Sequence, residues 1–316
     1  MRIIRQFVLL AAGVCLASPA AAQVVGLGTT QAGATAQLST VIAKVLTDKG
    51  GLQVRPQAMA GVVQYAPLVN DGEIELGVSN IVEYAYLFEG KALVEKPNPQ
   101  LRLVARLVPW YNGLAVKADS PIKSVKDLKG QPTPAGFTGN PLGRLLMDGY
   151  LANAQLQISD TRQVLVPAFP RMFELFKQGQ LATSIATIGS PVLKEWEAAL
   201  GPVRFLSFDD NPAAVAALVR YIRGAEIVEI KPVPGRTGIA APTRLVNYDY
   251  VLFASVKTTD EVVARAVDTL YANPAELKAG GPLWDEFDAA AMAKDLGLAY
   301  HPGAIKAYQA KGLWKR

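Results

Sequence analysis

The stretch VVGLGTTQAGATAQLSTVIAKVL, residues 24–46, decides the fold of the chain. It contains a short apolar run, a Gly/Thr-rich loop, and a segment whose apolar residues recur with the period of a helix. Those residues stand at i, i+3, i+4, i+7 and i+8, as Leu38, Val41, Ile42, Val45 and Leu46. The pattern predicts strand, loop and helix in that order. Because the first amides of a helix lack intrahelical partners, the loop is a candidate half-site for an anion.

The glycines of this loop do not form a nucleotide-binding motif. The dinucleotide fingerprint GxGxxG needs glycine at position 31, but Gln31 stands there, and Gly26, Gly28 and Gly33 give GxGxxxxG. A P-loop is excluded because no Gly-Lys-Ser/Thr follows. Two interpretations stay open, a structural strand-to-helix turn without a ligand and one half of a binding site.

The first 22 residues are typical of a secretory signal peptide. Arg2 and Arg5 precede an apolar stretch at residues 7–17, and Ala20-Ala21-Ala22 supplies an A-x-A cleavage site. The apolar stretch is too short to span a bilayer. We therefore expect cleavage after Ala22 and a periplasmic mature protein.

Few residues are suited to catalysis or metal binding. The chain has one cysteine, Cys15, inside the predicted signal segment, and one histidine, His301. This composition excludes zinc sites built from the usual ligands and Cys/His nucleophile pairs. Ser190 is not part of a GxSxG motif, and Ser190-Pro191 is better explained as a helix start. We expect no enzyme activity, no metal site and no cofactor.

The first lobe of the protein is predicted from three strand-helix units in a row. After the opening unit, residues 52–55 read as a strand, residues 57–61 as a turn and residues 62–69 as a helix. A further strand, residues 74–78, ends on the small polar pair 79–80. Successive units of this kind predict an α/β layer with a mostly parallel sheet, in which ligands bind at the carboxyl ends of the strands.

Two extended runs predict that the chain crosses into a second lobe and returns. Residues 101–117 read as a strand interrupted at 109–112, and residues 248–255 read as a strand before a helix with the capping box Thr258-x-x-Glu261. We place the crossings near Gly113 and Tyr250. Lobe I then comprises residues 23–112 and 253–316, and lobe II comprises residues 113–252.

The predicted second lobe repeats the pattern of polar loops at helix starts. A second Gly/Thr loop, residues 134–139, precedes Asn140-Pro141, which begins a helix, and Ser190-Pro191 begins another. The aromatic spacing of residues 169–176 is typical of core packing. Facing loops of this kind would form a cleft suited to a small anionic or zwitterionic ligand.

Basic residues give the chain a formal net charge of +5 and are scattered along it. This distribution argues against nucleic-acid binding but leaves cations for an acidic ligand. Arg144 lies one turn into the helix after the second Gly/Thr loop, and Arg236 lies in a Gly/Pro-rich loop. Either guanidinium could pair with a ligand carboxylate, and a solvated surface role is open for both.

Five motifs follow one another along the chain: VVGLGTTQAGAT (24–35), QAMAGVVQYAPLVNDGEIELGVSN (57–80), LAVKADSPIKSVKDLKGQPTPAGFTGNPLGRLLMDGY (114–150), ATIGSPVLKEW (186–196) and HPGAIKAYQAKGLW (301–314). Together they resemble the TAXI-type solute-binding proteins of TRAP transporters. The resemblance implies a type II periplasmic-binding-protein fold, with two α/β lobes joined by two hinge strands around a ligand cleft. It also implies a monomer that delivers glutamate or a related small carboxylate to a sodium-coupled TRAP permease.

The same resemblance implies which residues contact the ligand. They come from both lobes, as Gly28, Thr29, Thr30, Gln31, Gly33, Met59, Gly61, Ser79, Asn80, Phe137, Thr138, Asn140, Thr187 and Ser190. Thr30 and Gln31 replace glycines of the family, and Ala34 and Thr35 stand where tyrosines are expected. The last helix, residues 301–314, would pack on the first lobe as structure.

Two other functions are considered. A periplasmic sensing subunit of a signalling receptor would bind the same kind of ligand on the same fold. An exported hydrolase would use the cleft for catalysis and would lose turnover on Ser190→Ala.

Overall fold

The alternation of apolar runs and periodic segments produces a two-lobed mixed α/β fold, seen in a computed structural model that describes residues 24–314. The predicted signal peptide, residues 1–22, lies outside the described residues. Within residues 24–314 no helix has the length and apolar character needed to cross a membrane.

The strands are β1 (Val24–Thr30), β2 (Gln53–Met59), β3 (Leu76–Asn80), β4 (Leu101–Lys117), β5 (Pro132–Gly136), β6 (Arg162–Val166), β7 (Ser184–Thr187), β8 (Val203–Phe205), β9 (Glu226–Ile230) and β10 (Thr243–Ser255). The helices are α1 (Gly33–Gly50), α2 (Val62–Asp71), α3 (Ile81–Glu89), α4 (Pro141–Asn153), α5 (Phe169–Lys177), α6 (Pro191–Leu200), α7 (Pro212–Val219), α8 (Asp260–Ala272), α9 (Pro274–Lys278) and α10 (Pro302–Ala310).

The first lobe is built on the parallel strands that the sequence predicts. β1 pairs in parallel with β2 and with β3, and β10 continues the sheet antiparallel to β3. Helix α1 covers these strands with its predicted apolar face, since Leu38, Ile42 and Leu46 are fully buried. The strand and helix predicted for the opening stretch are therefore confirmed.

Two long antiparallel strands, β4 and β10, run through both lobes. β10 pairs with β3 at one end and with β9 at the other, and its partner changes between residues 247 and 250. β4 gains β7 and then β8 as neighbours from Asn112 onward. Both changes lie close to the predicted crossings. The division into lobe I (23–112 and 253–316) and lobe II (113–252) stays a prediction that these pairings support.

The predicted interruption of β4 at residues 109–112 is wrong, because β4 is continuous from Leu101 to Lys117. Pro109 has no N–H to donate, but it stands opposite Asp249, beside a register shift of β10. A strand tolerates proline at such an irregularity, since no regular ladder hydrogen bond is demanded there. The apparent turn signal of Pro109-Trp110-Tyr111-Asn112 is therefore part of a strand.

Two further details differ from the sequence-based expectation. β1 continues through Thr30, so the predicted Gly/Thr loop is reduced to Gln31 and Ala32. The cap of α8 is Thr259, whose hydroxyl accepts a hydrogen bond from the Val262 amide, and not Thr258. The Thr258 hydroxyl instead donates to the Glu75 carbonyl oxygen at 3.0 Å.

The second lobe contains the parallel pair β5 and β6 and the helices α4 to α7. Its core includes the aromatic face predicted for packing, where the rings of Phe176 and Trp196 lie 4.6 Å apart. In the first lobe, His301 caps α10 by accepting the Gly303 amide on Nδ1. Helix α10 packs on α8, and the Tyr308 hydroxyl donates to the Val104 carbonyl oxygen, so the structural role predicted for this helix is confirmed.

Candidate solute-binding site

A cavity lies between the two lobes, where several helix starts converge. The cavity and its open mouth together comprise about 680 Å³ of space. The part in which the centre of a water molecule fits without touching the walls is about 60 Å³. That is room for about four to six waters or a solute of similar bulk. Its polar lining comes from both lobes: Thr30, Gln31, Thr35, Glu83, Asn140, Thr187, Ser190 and Tyr250. Its apolar lining is mainly Val62, Trp110, Leu142, Phe169 and Phe173.

Five helices begin at this cavity without a side-chain cap. The cap positions of α1, α2, α4, α5 and α6 make no capping hydrogen bond with their side chains: Ala32, Gly61, Asn140, Ala168 and Ser190. In contrast, side chains cap α3, α7, α8 and α10. The first amides of a helix have no intrahelical partner, and they carry the positive end of the helix dipole. Proline removes one of these amides from each of α4, α5 and α6, at Pro141, Pro170 and Pro191, and the uncapped amides that remain around the cavity can bind an anion.

The two lobes also touch around the cavity. The Asn140 side-chain amide donates to the Ala60 carbonyl oxygen at 3.4 Å, which joins the start of α4 to the turn before α2. Farther out, Arg223 pairs with Glu89 at 2.9 Å. These contacts join the two lobes.

Hydroxyl and amide groups are arranged along the cavity wall. Thr35 Oγ1 lies 3.0 Å from the hydroxyl of Tyr250. The indole N–H of Trp110 donates to Thr187 Oγ1. Asn140 Oδ1 is buried without a hydrogen-bond partner among the described residues. The wall therefore offers both satisfied groups, which fix its shape, and one unsatisfied acceptor.

Glu83 is the one carboxyl group in the cavity lining that the structure describes. It is 2 % exposed, and its Oε2 accepts a hydrogen bond from Asn80 Nδ2 at 2.8 Å and a longer one from Ser79 Oγ at 3.5 Å. Burial raises the pKa of Glu83 to about 8, against the lowering effect of these two hydrogen bonds. The carboxyl is therefore mostly protonated at neutral pH in the empty protein.

The cavity brings together six of the residues that the sequence nominates. Thr30, Gln31 and Gly33 come from the first lobe, and the second-lobe members are Asn140, Thr187 and Ser190. Gly28 and Thr29, which precede Thr30 in the sequence, are part of β1 and do not line the cavity. Gly28 lies beneath α2, where an added Cβ would come within 2.5 Å of the Tyr65 ring, and Thr29 is buried in β1.

Other nominated residues lie around the cavity without lining it. Met59 ends β2, and Gly61 precedes α2 opposite the Gly139 carbonyl oxygen. Ser79 and Asn80 hold Glu83. A further two belong to the loop before α4: Phe137, whose ring is buried against Phe169, and Thr138.

The two nominated arginines do not line this cavity. The Arg144 side chain is 75 % exposed and pairs with Asp148 at 3.7 Å along α4. Arg236 lines a neighbouring cavity and lies 3.7 Å from Glu286. Both arginines therefore fit the solvated surface role that was the alternative interpretation. The charged end of a long side chain stays in water unless a partner of opposite charge is buried with it.

Several residues of the cavity lining are not among the candidates predicted from the sequence. Trp110 and Tyr250 lie in the buried strands β4 and β10, and Phe169 and Phe173 were assigned to packing alone. Glu83 carried a usable signal, because it stands three residues after Asn80 as in a capping box. His301, the chain's one histidine, lies outside the lining of this cavity and accepts a backbone amide.

A two-lobed α/β fold with a cavity of mixed polar and apolar lining between the lobes defines the class of periplasmic-binding-protein-like folds. The chain is similar to a structure described as a periplasmic transporter, with 15% identity and a TM-score of 0.58 over 92% of this chain and 93% of that one. It is also similar to the binding-protein component of an ABC phosphonate transporter from Pseudomonas aeruginosa, with 12% identity and a TM-score of 0.56 over 92% and 86%. At these identities the likeness shows the fold.

A third similar structure is the alkanesulfonate-binding protein from Xanthomonas axonopodis pv. citri bound to MOPS, at 18% identity and a TM-score of 0.48 over 93% of this chain and 92% of that one. The chain belongs to the NMT1-like family, whose model matches residues 28–312. The narrower TAXI-type assignment stays a prediction from the sequence motifs.

Proposed function

We propose that this protein is an extracytoplasmic solute receptor that captures a small anionic or zwitterionic solute between its lobes and delivers it to a membrane permease. The observation that carries the proposal is the convergence of five uncapped helix starts on one enclosed cavity. Helix starts elsewhere in the described chain are mostly capped by their own side chains. An anion would supply the partners that the cavity amides lack.

The lining suits an anion bound by backbone rather than by a cationic side chain. Among the described lining residues there is no lysine or arginine, so hydrogen bonds and helix dipoles must supply the attraction. A charge-assisted hydrogen bond contributes about 1.5–3 kcal/mol, so three or four could give micromolar affinity or better. Carboxylates, sulfonates and phosphonates all present the required oxygens. Our expectation from the sequence is a carboxylate or an amino acid such as glutamate.

Capture is proposed to proceed by closure of the lobes. Each lobe provides part of the lining, and β4 and β10 are the two segments that connect the parts as continuous strands. A solute that bonds to both lobes favours the closed arrangement by its differential affinity for it. The predicted crossings place the bend near Gly113 and Tyr250, and the partner change of β10 between residues 247 and 250 is consistent with this position.

The type of permease is a finer proposal. The sequence motifs favour a sodium-coupled TRAP permease, whereas the phosphonate-binding protein to which the fold is similar belongs to an ABC transporter. Uptake measured in cells that express the receptor with its neighbouring permease separates these cases. A TRAP system requires a sodium gradient and is insensitive to ATP depletion when the gradient is clamped, and an ABC system behaves in the opposite way.

Ligand-dependent thermal stabilisation tests the proposal for the receptor itself. Carboxylates, amino acids, 2-oxo acids, sulfonates and phosphonates are screened, and a ligand at 100 times its Kd should add about 2.7 kcal/mol to the stability. Ser190→Asp places a carboxylate at the start of α6 and should abolish the shift by competing with the anion. Ser159→Asp, on an exposed short helix outside the cavity, is the matched control. An unchanged shift in Ser190→Asp would contradict anion binding at this cavity.

Two alternative functions have tests of their own. A sensing subunit would bind the same solute, so co-purification with a histidine-kinase receptor rather than a permease would favour it. An exported hydrolase would require turnover that disappears in Ser190→Ala. Among the described residues no hydrogen bond joins the Ser190 hydroxyl to a carboxylate or a histidine, and His301 caps α10, so the serine–base pair that such a hydrolase needs is not formed here.

A further inference from the structure

Two side chains of the cavity lining can accept hydrogen bonds from a solute. Oδ1 of Asn140, a residue that is 4 % exposed, is buried without a hydrogen-bond partner from the described part of the chain. Glu83 is the carboxyl group of the described lining, and the two hydrogen bonds that it accepts from Ser79 and Asn80 both end on Oε2. An anion satisfies the uncapped helix amides but gives nothing to Asn140 Oδ1 and no positive charge to Glu83. Both groups are suited to a solute that carries a protonated amino group.

The orientation of the Asn140 amide is set by its neighbour. Its Nδ2 donates to the Ala60 carbonyl oxygen, which can only accept a hydrogen bond. Turning the amide over would place two oxygens against each other, so the Ala60 carbonyl keeps Oδ1 directed away from itself. A buried acceptor without a partner is rare in native proteins, and a ligand is one explanation that a cavity makes available.

Among residues 24–314, no cationic side chain forms an ion pair with Glu83. The ionisable groups that face it are Tyr65 of α2 and Tyr248 and Tyr250 of β10, and burial raises the pKa of each of these tyrosines above the ordinary value. They stay neutral at physiological pH. The ring of Trp110 lies 5.0 Å from that of Tyr250 between centroids, and both rings line the cavity. Aromatic faces attract cations, so this part of the wall suits an ammonium group.

Glu83 also has a structural role that must be separated from ligand binding. Asn80 Oδ1 accepts a hydrogen bond from the Glu83 amide at 2.9 Å and so caps α3, and Asn80 Nδ2 donates to Glu83 Oε2, so the two side chains hold each other in place. A glutamine side chain keeps an oxygen that can accept from Asn80. Glu83→Gln therefore preserves the cap, cannot become negatively charged, and replaces the second carboxyl oxygen by an N–H donor that would oppose an amino group.

We propose that the solute of this receptor is zwitterionic, and that Glu83 and Asn140 accept hydrogen bonds from its protonated amino group while the helix starts hold its anionic group. This inference rests on the proposed function and narrows its ligand class. Glu83 is then a specificity-determining residue that distinguishes amino-bearing anions from plain anions of the same size. Raising of the Glu83 pKa by burial fits this role, because a solute cation supplies the counter-charge that the empty site lacks.

The test uses pairs of solutes that differ only in an amino group. The pairs are L-glutamate and glutarate, taurine and ethanesulfonate, and 2-aminoethylphosphonate and ethylphosphonate, with affinities measured by calorimetry. In the natural protein we expect the amino-bearing member of the pair that binds best to be at least about tenfold tighter, as for a charge-assisted hydrogen bond. In Glu83→Gln that preference should fall below about threefold, while the plain anion binds as well as before or better. Glu75→Gln, a lobe I carboxylate that accepts the Gly26 amide outside the cavity, should keep the natural preference.

A second measurement does not depend on the variant folding. When an ammonium group binds beside Glu83 at pH 7.5, the carboxyl should release its proton. Calorimetry in buffers of different ionisation enthalpy should then detect proton release with L-glutamate or taurine and none with glutarate or ethanesulfonate. The phosphonate pair is left out of this measurement, because ethylphosphonate itself titrates near this pH.

The outcomes are distinguishable. Equal affinity within every pair that binds, or binding without proton release, overturns the zwitterion inference and leaves the receptor function standing. Failure of all six solutes, together with every other class in the thermal screen, overturns the proposed function and this inference with it. A preference that survives unchanged in folded Glu83→Gln assigns amino recognition elsewhere and overturns the role of Glu83.

Discussion

Replacing Glu83 by Gln should make the solute-free protein more stable at high pH and should change little at low pH. The folded protein holds the pKa of Glu83 at about 8, above its ordinary value of 4.5, because the group is buried. Below pH 4.5 the carboxyl is protonated in both the folded and the unfolded chain. Between pH 4.5 and 8 the unfolded chain loses this proton while the folded protein keeps it, so stability falls as pH rises. Above pH 8 the loss is complete.

The size of the effect follows from the same two values. Each pH unit between them removes about 1.4 kcal/mol of folding free energy, so the whole interval could remove up to about 5 kcal/mol. Water that enters the cavity will solvate part of the charge, and we expect roughly 2–5 kcal/mol. Glutamine does not ionise and keeps an acceptor for Asn80 Nδ2, so the variant avoids this loss.

Denaturant unfolding, followed by tryptophan fluorescence at pH 5, 6, 7 and 8.5, provides the assay. The difference in unfolding free energy between Glu83→Gln and the natural protein should grow steadily in favour of the variant and level off above pH 8. Glu75→Gln tests whether any lobe I carboxylate gives the same profile. The reasoning is refuted if the difference for Glu83→Gln stays within about 0.5 kcal/mol from pH 5 to 8.5, a range ordinary for surface substitutions.

Three other substitutions test separate features. Asp249→Asn should lower the free energy of unfolding by about 3–5 kcal/mol, because it leaves the buried Arg106 guanidinium without the counter-ion that β10 provides. In the natural protein Arg106 Nε lies 2.8 Å from the Asp249 carboxylate. A loss below about 1 kcal/mol in denaturant unfolding would contradict this. Gly77→Ala should cost about 1–3 kcal/mol, since the new Cβ would lie 2.4 Å from Cζ of Phe253, and an unchanged Tm would show that the ring moves freely. Gln31→Ala should alter solute affinity by more than threefold and the free energy of unfolding by less than about 0.5 kcal/mol, because the Gln31 side chain is exposed at the cavity. A large loss of stability with unchanged affinity would show that the loop has a structural role.

The sequence predicted the elements whose hydrophobic pattern is local. The helix face of α1 follows from period alone, and the strand before it follows from its short apolar run. Pro109 misled the prediction, because proline usually ends a strand, and its tolerance here depends on the irregular register of a partner more than a hundred residues away. A pairing between strands so far apart in the sequence belongs to the tertiary structure, and the residues next to Pro109 do not indicate it.

The helix starts at the binding cavity could be predicted from the sequence, but the strand residues that form its walls could not. Gln31, Asn140 and Ser190 were found because loops at helix N-termini have a recognisable composition. Trp110 and Tyr250 were missed because a residue in a buried strand has the same pattern whether it faces the core or an internal cavity. The arginine candidates came from ligand chemistry, and nothing in the sequence says that a helix-borne arginine turns outward.

The energetics of the empty and filled cavity explain why closure can depend on the solute. The outer contacts between the lobes include two ion pairs of partly exposed groups, Arg223 with Glu89 and Arg236 with Glu286, and a hydrogen bond from the Tyr86 hydroxyl to the Tyr221 carbonyl oxygen. Exposed pairs and single hydrogen bonds of this kind contribute about 1 kcal/mol each. Closing an empty cavity withdraws water from uncapped helix amides and from Asn140 Oδ1, and each buried polar group left without a partner costs about 1–3 kcal/mol. The weak outer contacts cannot offset several such losses. A solute that satisfies the amides and the acceptors removes the penalty and adds its own hydrogen bonds, so the closed form is favoured when the cavity is filled, and opening to water on release restores partners to every group.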